Sequence, residues 1–202
     1  MISQEYLEST FFIDSESKTI VNLAQQLSEK YNDKVKLTIA TFNYIRDQIK
    51  YTIDVAQYTN PEDLKGSITI QKKIGFCIPK SVALVALLRA NKIPARLHFA
   101  DIINHRIPPH LLEILQTNVM VFHGYAEVYL GKWIKLTPSF QTSLCERHNF
   151  PVCTFDGVND ATFKPYDNAG NLFVEYISDR GTYADLPYEE IFTTFREYYG
   201  NP

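Results

Sequence analysis

Residues 17–31 set Ile20, Leu23, Ala24 and Leu27 at three-and-four spacing, and residues 37–49 repeat the pattern with Ile39, Phe42, Ile45 and Ile49. Both stretches predict amphipathic helices at the periphery of a core. A polar stretch containing Pro61 follows, and then residues 78–90 are apolar on nearly every side. A helix with no polar face belongs in the middle of a domain.

Beyond residue 95 the period changes from helical to alternating. Residues 95–100 read as a short strand, and 104–117 as a proline-containing excursion with a helical turn at Leu111, Leu112 and Leu115. In 119–130 the even positions Met120, Phe122, Ala126, Val128 and Leu130 form an apolar face. The odd positions include His123, Tyr125, Glu127 and Tyr129, a face predicted to look onto a cleft or solvent. Gly131-Lys132 breaks the run and 133–137 resumes it, as a hairpin does. Residues 172–177 are strand-like and 187–199 helical. Helices first and an antiparallel sheet afterwards make an α+β fold.

Composition adds constraints. The 202 residues are 45% hydrophobic with eight glycines and ten prolines, so the whole chain, 1–202, is expected to be one domain without a linker. A net charge of −3, with no Lys/Arg run longer than Lys72-Lys73, argues against a nucleic-acid partner. No apolar stretch suggests a membrane span. The first residues, with a three-residue apolar cluster among acidic ones, read as no export signal, so a cytoplasmic location is expected. Three cysteines form no disulfide framework.

Cys77, after Gly75-Phe76 and before Ile78-Pro79, stands at the entrance of the central helix. The free N–H groups and positive dipole end there can lower a thiol pKa from about 8.5 to roughly 3.5–7.5, which makes a nucleophile. Position alone leaves a buried structural cysteine equally open. His123 could be its base or a satisfied sheet residue. Cys145-Glu146-Arg147-His148 with Cys153 has a metal-like look but no tidy fourth ligand, so a structural role is expected, with no metal and no cofactor. Tyr125, Tyr129, Tyr176 and Tyr183 are expected to pack rather than bind.

Four segments, taken together, sharpen the reading: Gly75-Phe76-Cys77-Ile78-Pro79-Lys80-Ser81, then 87–96 with Leu-Arg-Ala and Ile-Pro-Ala-Arg, then His123-Gly124-Tyr125-Ala126-Glu127, then 132–138 ending in Thr137-Pro138. In order and spacing they resemble the transglutaminase-like superfamily, and look like a bacterial branch of it. The resemblance is strong over about 40–140 and extends to 157–187. It implies a papain-like fold with N-terminal helices, a core of about 37–140, a C-terminal extension of about 141–202, and the helix cysteine facing a histidine on the sheet. It further implies that Cys77 is acylated and His123 is its base, in acyl transfer or hydrolysis of a peptide or protein amide without a cofactor. Gln71, six residues before Cys77, stands at a spacing that papain-like enzymes use for an oxyanion-hole amide. The third catalytic residue of the family is usually Asp in an Asp-Pro pair, and Thr137 stands in that place. Thr can accept the imidazole N–H but carries no charge. Glu127, Asp156 or Asp160 could supply one, or the fold could serve as a non-catalytic peptide- or protein-binding module. If the triad forms, the hairpin needs a three-residue turn, which sets Tyr125 opposite Thr137 and His123 diagonal to it at about 7 Å. Donor, acceptor and oligomeric state stay open.

Overall fold

A computed structural model describes residues 2–53, 58 and 60–200. Helix α1 (Lys18–Ser28) starts where the Ser17 hydroxyl accepts the Ile20 N–H, and α2 (Lys34–Gln48) where Asp33 accepts that of Lys36. Strand β1 (Lys50–Tyr51) pairs in parallel with β2 (Ile74–Gly75), and α3 (Gly66–Lys72) lies between them in the chain. Helix α4 (Cys77–Ala90) follows β2 directly. Every residue of α4 from Ile78 to Arg89 is buried, as its lack of a polar face predicts.

The polar members of α4 survive burial because each reaches a carbonyl. Lys80 Nζ donates to the carbonyls of Arg46 and Ile49 at 2.9 and 2.7 Å, satisfying acceptors left free where α2 ends. Burial pulls the Lys80 pKa down to about 7. Arg89 donates to Ala95 O, Glu8 O and Ala184 O, tying the start of the chain and its last third to one helix.

Strands β3 (Ala95–Asn104), β4 (Val119–Tyr129), β5 (Trp133–Leu136) and β6 (Val174–Tyr183) form an antiparallel sheet in the order β5-β4-β3-β6. The α+β arrangement is thus a Cys-bearing central helix packed on an antiparallel sheet, with α5 (Pro109–Leu115), α6 (Thr142–His148) and α7 (Tyr188–Tyr199) around it. Strands β3 and β6 run further than the sequence pattern indicates, because paired strands continue through bulges that interrupt alternation. The short helices α3 and α6 escape a periodicity reading altogether.

The hairpin joins Tyr129 to Trp133, so Leu130, Gly131 and Lys132 make the three-residue turn, with Gly131 at φ +88°. Continued one step past the Ala126–Leu136 pair, this register sets Thr137 opposite Tyr125. The odd face of β4 is not open to solvent, however. His123 and Glu127 are 4% exposed and Tyr125 is 2% exposed, roofed by His98, Phe163 and Tyr176.

Candidate active site

Cys77 is the first residue of α4, and Phe76 before it is extended. Pro79 falls in the first turn, where no intrahelical N–H is lost. The thiol is half-buried, whereas Cys145 and Cys153 are buried, and all three are free. Backbone N–H groups of Gly124, Ile78 and Cys77 point at the sulfur, but desolvation outweighs them and pushes the thiol from 9.0 up to about 11. The thiolate expected from the helix position is therefore not the resting state.

Gly124 explains how the sheet reaches the sulfur. A Cβ there would lie 3.1 Å from Phe99 Cε1 and 3.2 Å from Ile78 Cγ1, tighter than ordinary contact, so glycine lets β4 cross close to α4 without displacing either side chain. The Ser81 hydroxyl donates to Gly124 O at 3.2 Å and fixes that crossing. On the other side of His123, Phe122 adopts φ +52°, a costly conformation for an aromatic residue, of the order of 1–3 kcal/mol. Asp101, at a bulge of β3, holds it by accepting the Phe122 N–H at 3.0 Å while Arg180 grips both carboxylate oxygens. Asp101 and Arg180 thus aim His123, a role that no local motif reveals.

The His123 ring lies 5.2 Å from Phe163, 6.1 Å from Tyr125 and 6.2 Å from Tyr176, centroid to centroid. Its Nε2 is enclosed without a hydrogen-bond partner, and desolvation drives its pKa from 6.5 down to about 3. Cys77 and His123 line one cavity of about 360 Å³, together with Tyr51, whose phenol burial keeps protonated. Their resting states are a thiol and a neutral imidazole.

The other sequence candidates divide. Thr137 is fully buried, held through its N–H to Ala161 O at 2.8 Å; its Oγ1 makes no regular hydrogen bond and is faced by the Tyr176 phenol. Gln71 is not at the site. The buried side of α3 is Gly66, Ser67, Thr69 and Ile70, so position 71 points outward, where its amide donates to Thr19 Oγ1 at 2.8 Å. Nor does any of the three candidate acids bond His123. Burial works to raise the Glu127 pKa, but bonds from His98 Nδ1 and Arg96, at 2.8 and 2.7 Å, hold it low. Asp160 accepts the Lys135 N–H, and Asp156 caps its own exposed turn at Val158 and Asn159. His98, also 2.9 Å from Asp179, has no signal in the sequence, because nothing near it in the chain marks it. Cys145 on α6 and Cys153 pack into the core, and among the described residues no His, Cys, Asp and Glu group could hold a metal ion. Among them, too, no helix is long and apolar enough to cross a membrane.

Comparison with known proteins gives one family: the model of the transglutaminase-like superfamily matches residues 21–138. A search of curated proteins finds no match. Among solved structures, a proposed cysteine protease from Cytophaga hutchinsonii superposes with a TM-score of 0.48 at 17% identity, over 90% of this chain. This chain spans 55% of that protein's length.

Proposed function

Because the chain belongs to the transglutaminase-like superfamily, we propose that it is a cysteine-dependent enzyme of amide bonds in peptides or proteins, with Cys77 as nucleophile and His123 as base. The observation that carries this reading is the shared cavity: the sulfur at a helix N-terminus, under three N–H groups, with the imidazole on the same wall system. His123 takes the thiol proton as Sγ bonds to the amide carbon, and the C–N bond then breaks as His123 returns that proton to the departing amine. Water or an amine attacks the thioester, giving its proton to His123, and the thiol is regenerated. The N–H of Cys77 and the protonated Tyr51 phenol are donors available to the oxyanion, in place of Gln71. Thr137, whose Oγ1 faces the Tyr176 phenol, brings no charge to the imidazole.

Since burial opposes both ions, the thiolate–imidazolium pair forms only as substrate displaces water and reaction proceeds. The same neutrality favours a second reading, a peptide-binding module. Two measurements separate them. Limiting iodoacetamide should label Cys77 before Cys145 and Cys153 on grounds of access, since Cys77 is half-buried and the other two are buried, whereas burial lifts all three thiols alike, to about 11, about 11 and about 12. A peptide-amide library should then be turned over by the parent and not by Cys77→Ala. Faster labelling of Cys145 or Cys153, or turnover that survives Cys77→Ala, overturns the assignment. Equal binding by both proteins with no turnover makes the module the correct reading.

A further inference from the structure

We propose that the cavity beside Cys77 selects a substrate carrying a bulky, uncharged, apolar group next to the scissile amide, whether an aromatic side chain or an aliphatic chain. The inference rests on the reading of Cys77 as nucleophile and extends it to substrate class. At about 360 Å³ the cavity is large enough for such a group, within the range of about 300–1,000 Å³ usual for ligand sites. An aromatic wall begins at the reacting residues: Phe163 lies 5.2 Å from His123, Phe140 4.9 Å from Phe163, and Tyr51 4.7 Å from Phe140. The cavity continues to Leu111 and Leu115, one turn apart on the same side of α5, and to Met120 and Phe195. Those two leucines are half-buried, whereas Leu112 and Ile114 on the same helix are exposed, so α5 turns its cavity side inward.

Charge supports the exclusion of cations. Among the described residues no Asp or Glu lines the cavity; the ionisable groups at its polar part are Arg106, His110 and His148 besides the Cys77–His123 pair and two tyrosines. Arg106 is already 3.6 Å from Asp167. An ammonium entering here would lose its hydration with no carboxylate among the described lining residues to meet it, while each methylene removed from water is favoured about threefold to fourfold until the space is filled.

The test uses the full chain and a series of N-substituted chloroacetamides, with second-order alkylation of Cys77 followed by mass spectrometry. Methyl, butyl, hexyl and benzyl members should rise steeply, with benzyl at least tenfold above methyl, and the 4-aminobutyl member should stay near methyl. Preference for benzyl over hexyl identifies an aromatic side chain as the source, and the reverse an aliphatic chain. Leu111→Asp and Leu115→Asp, with thermal melts to show that each variant is folded, should flatten the series. A flat series in the parent, or an aminobutyl rate equal to butyl, overturns the proposal even where iodoacetamide labels Cys77 normally. If Cys77 resists every electrophile, the nucleophile reading fails instead, and the cavity is judged by calorimetry on Cys77→Ala: saturable binding of N-benzylacetamide or N-hexylacetamide but not N-(4-aminobutyl)acetamide upholds the selectivity, and absence of binding overturns it.

Discussion

Thr137→Asp is the substitution that probes the site hardest, because it puts a charge where the family resemblance implies an Asp and this chain has Thr. In the parent, burial alone takes His123 down to about 3 and Cys77 up to about 11, so between those limits the pair rests uncharged. The register sets position 137 diagonal to His123, about 7 Å between Cα atoms. A carboxylate 5–7 Å from the imidazolium, at an effective dielectric of about 20, stabilises it by about 2–3 kcal/mol, or roughly two pH units. Thr137 is fully buried, so part of that gain offsets desolvation of the new carboxylate. About one pH unit of upward shift in the His123 pKa should remain. The sign follows directly: the carboxylate favours the imidazolium and raises the His123 pKa, while as a like charge it disfavours the thiolate and does not lower that of Cys77. The separation between the two stays wide, so the neutral pair persists in both proteins and iodoacetamide labelling should climb steadily from pH 6 to 10 in each, as thiolate forms only toward its high pKa. The shift is read by NMR titration of the His123 imidazole, whose midpoint should lie about one pH unit higher in Thr137→Asp than in the parent. Thr137→Val, which keeps the shape and adds no charge, should leave the midpoint where it is. Thermal melts identify any variant that has lost its fold. If the His123 midpoint of folded Thr137→Asp equals the parent's, position 137 does not act on His123.

Three further outcomes are expected. The folded His123 pKa, about 3, lies below the unfolded value of 6.5, so the unfolded chain takes up the proton first and stability is lost as pH falls from about 6.5 toward 3, by up to about 1.4 kcal/mol per pH unit. Urea unfolding of His123→Gln should lack that part of the slope, and an unchanged slope would show that His123 is not buried neutral. Arg89→Leu removes a guanidinium bonded to three carbonyls in three parts of the chain; unfolding should become easier by about 3–5 kcal/mol, and a loss under 1 kcal/mol would refute its role as a clasp. Dialysis against a chelator should leave turnover unchanged, since the proposed steps use side chains and backbone donors alone. Activity restored by zinc or calcium after chelation would contradict this.

Several features were legible in the sequence because they depend on local sterics and period. A helix apolar all round must be central, and residues 78–90 became the buried α4. Gly131-Lys132 marked a hairpin, whereas its three-residue length, and with it the register that sets Thr137 opposite Tyr125, was decided by the fold. Position put Cys77 at a helix entry and His123 on a strand; that the two face each other was implied by the family resemblance alone, and both line one cavity. What the spacing could not determine is everything set by groups far away in the chain. Gln71 stands at the right separation from Cys77, yet the packing of α3 turns it toward Thr19. Glu127 is four residues from His123, but Arg96 and His98 from the neighbouring strand engage it first. Asp101 and Arg180, 79 positions apart, hold the strained Phe122 that aims the imidazole. Protonation was the least legible of all. A helix dipole is local and readable, and it favours thiolate, but desolvation is the sum of many distant neighbours. In this protein desolvation outweighs the dipole, and only the assembled core could decide that.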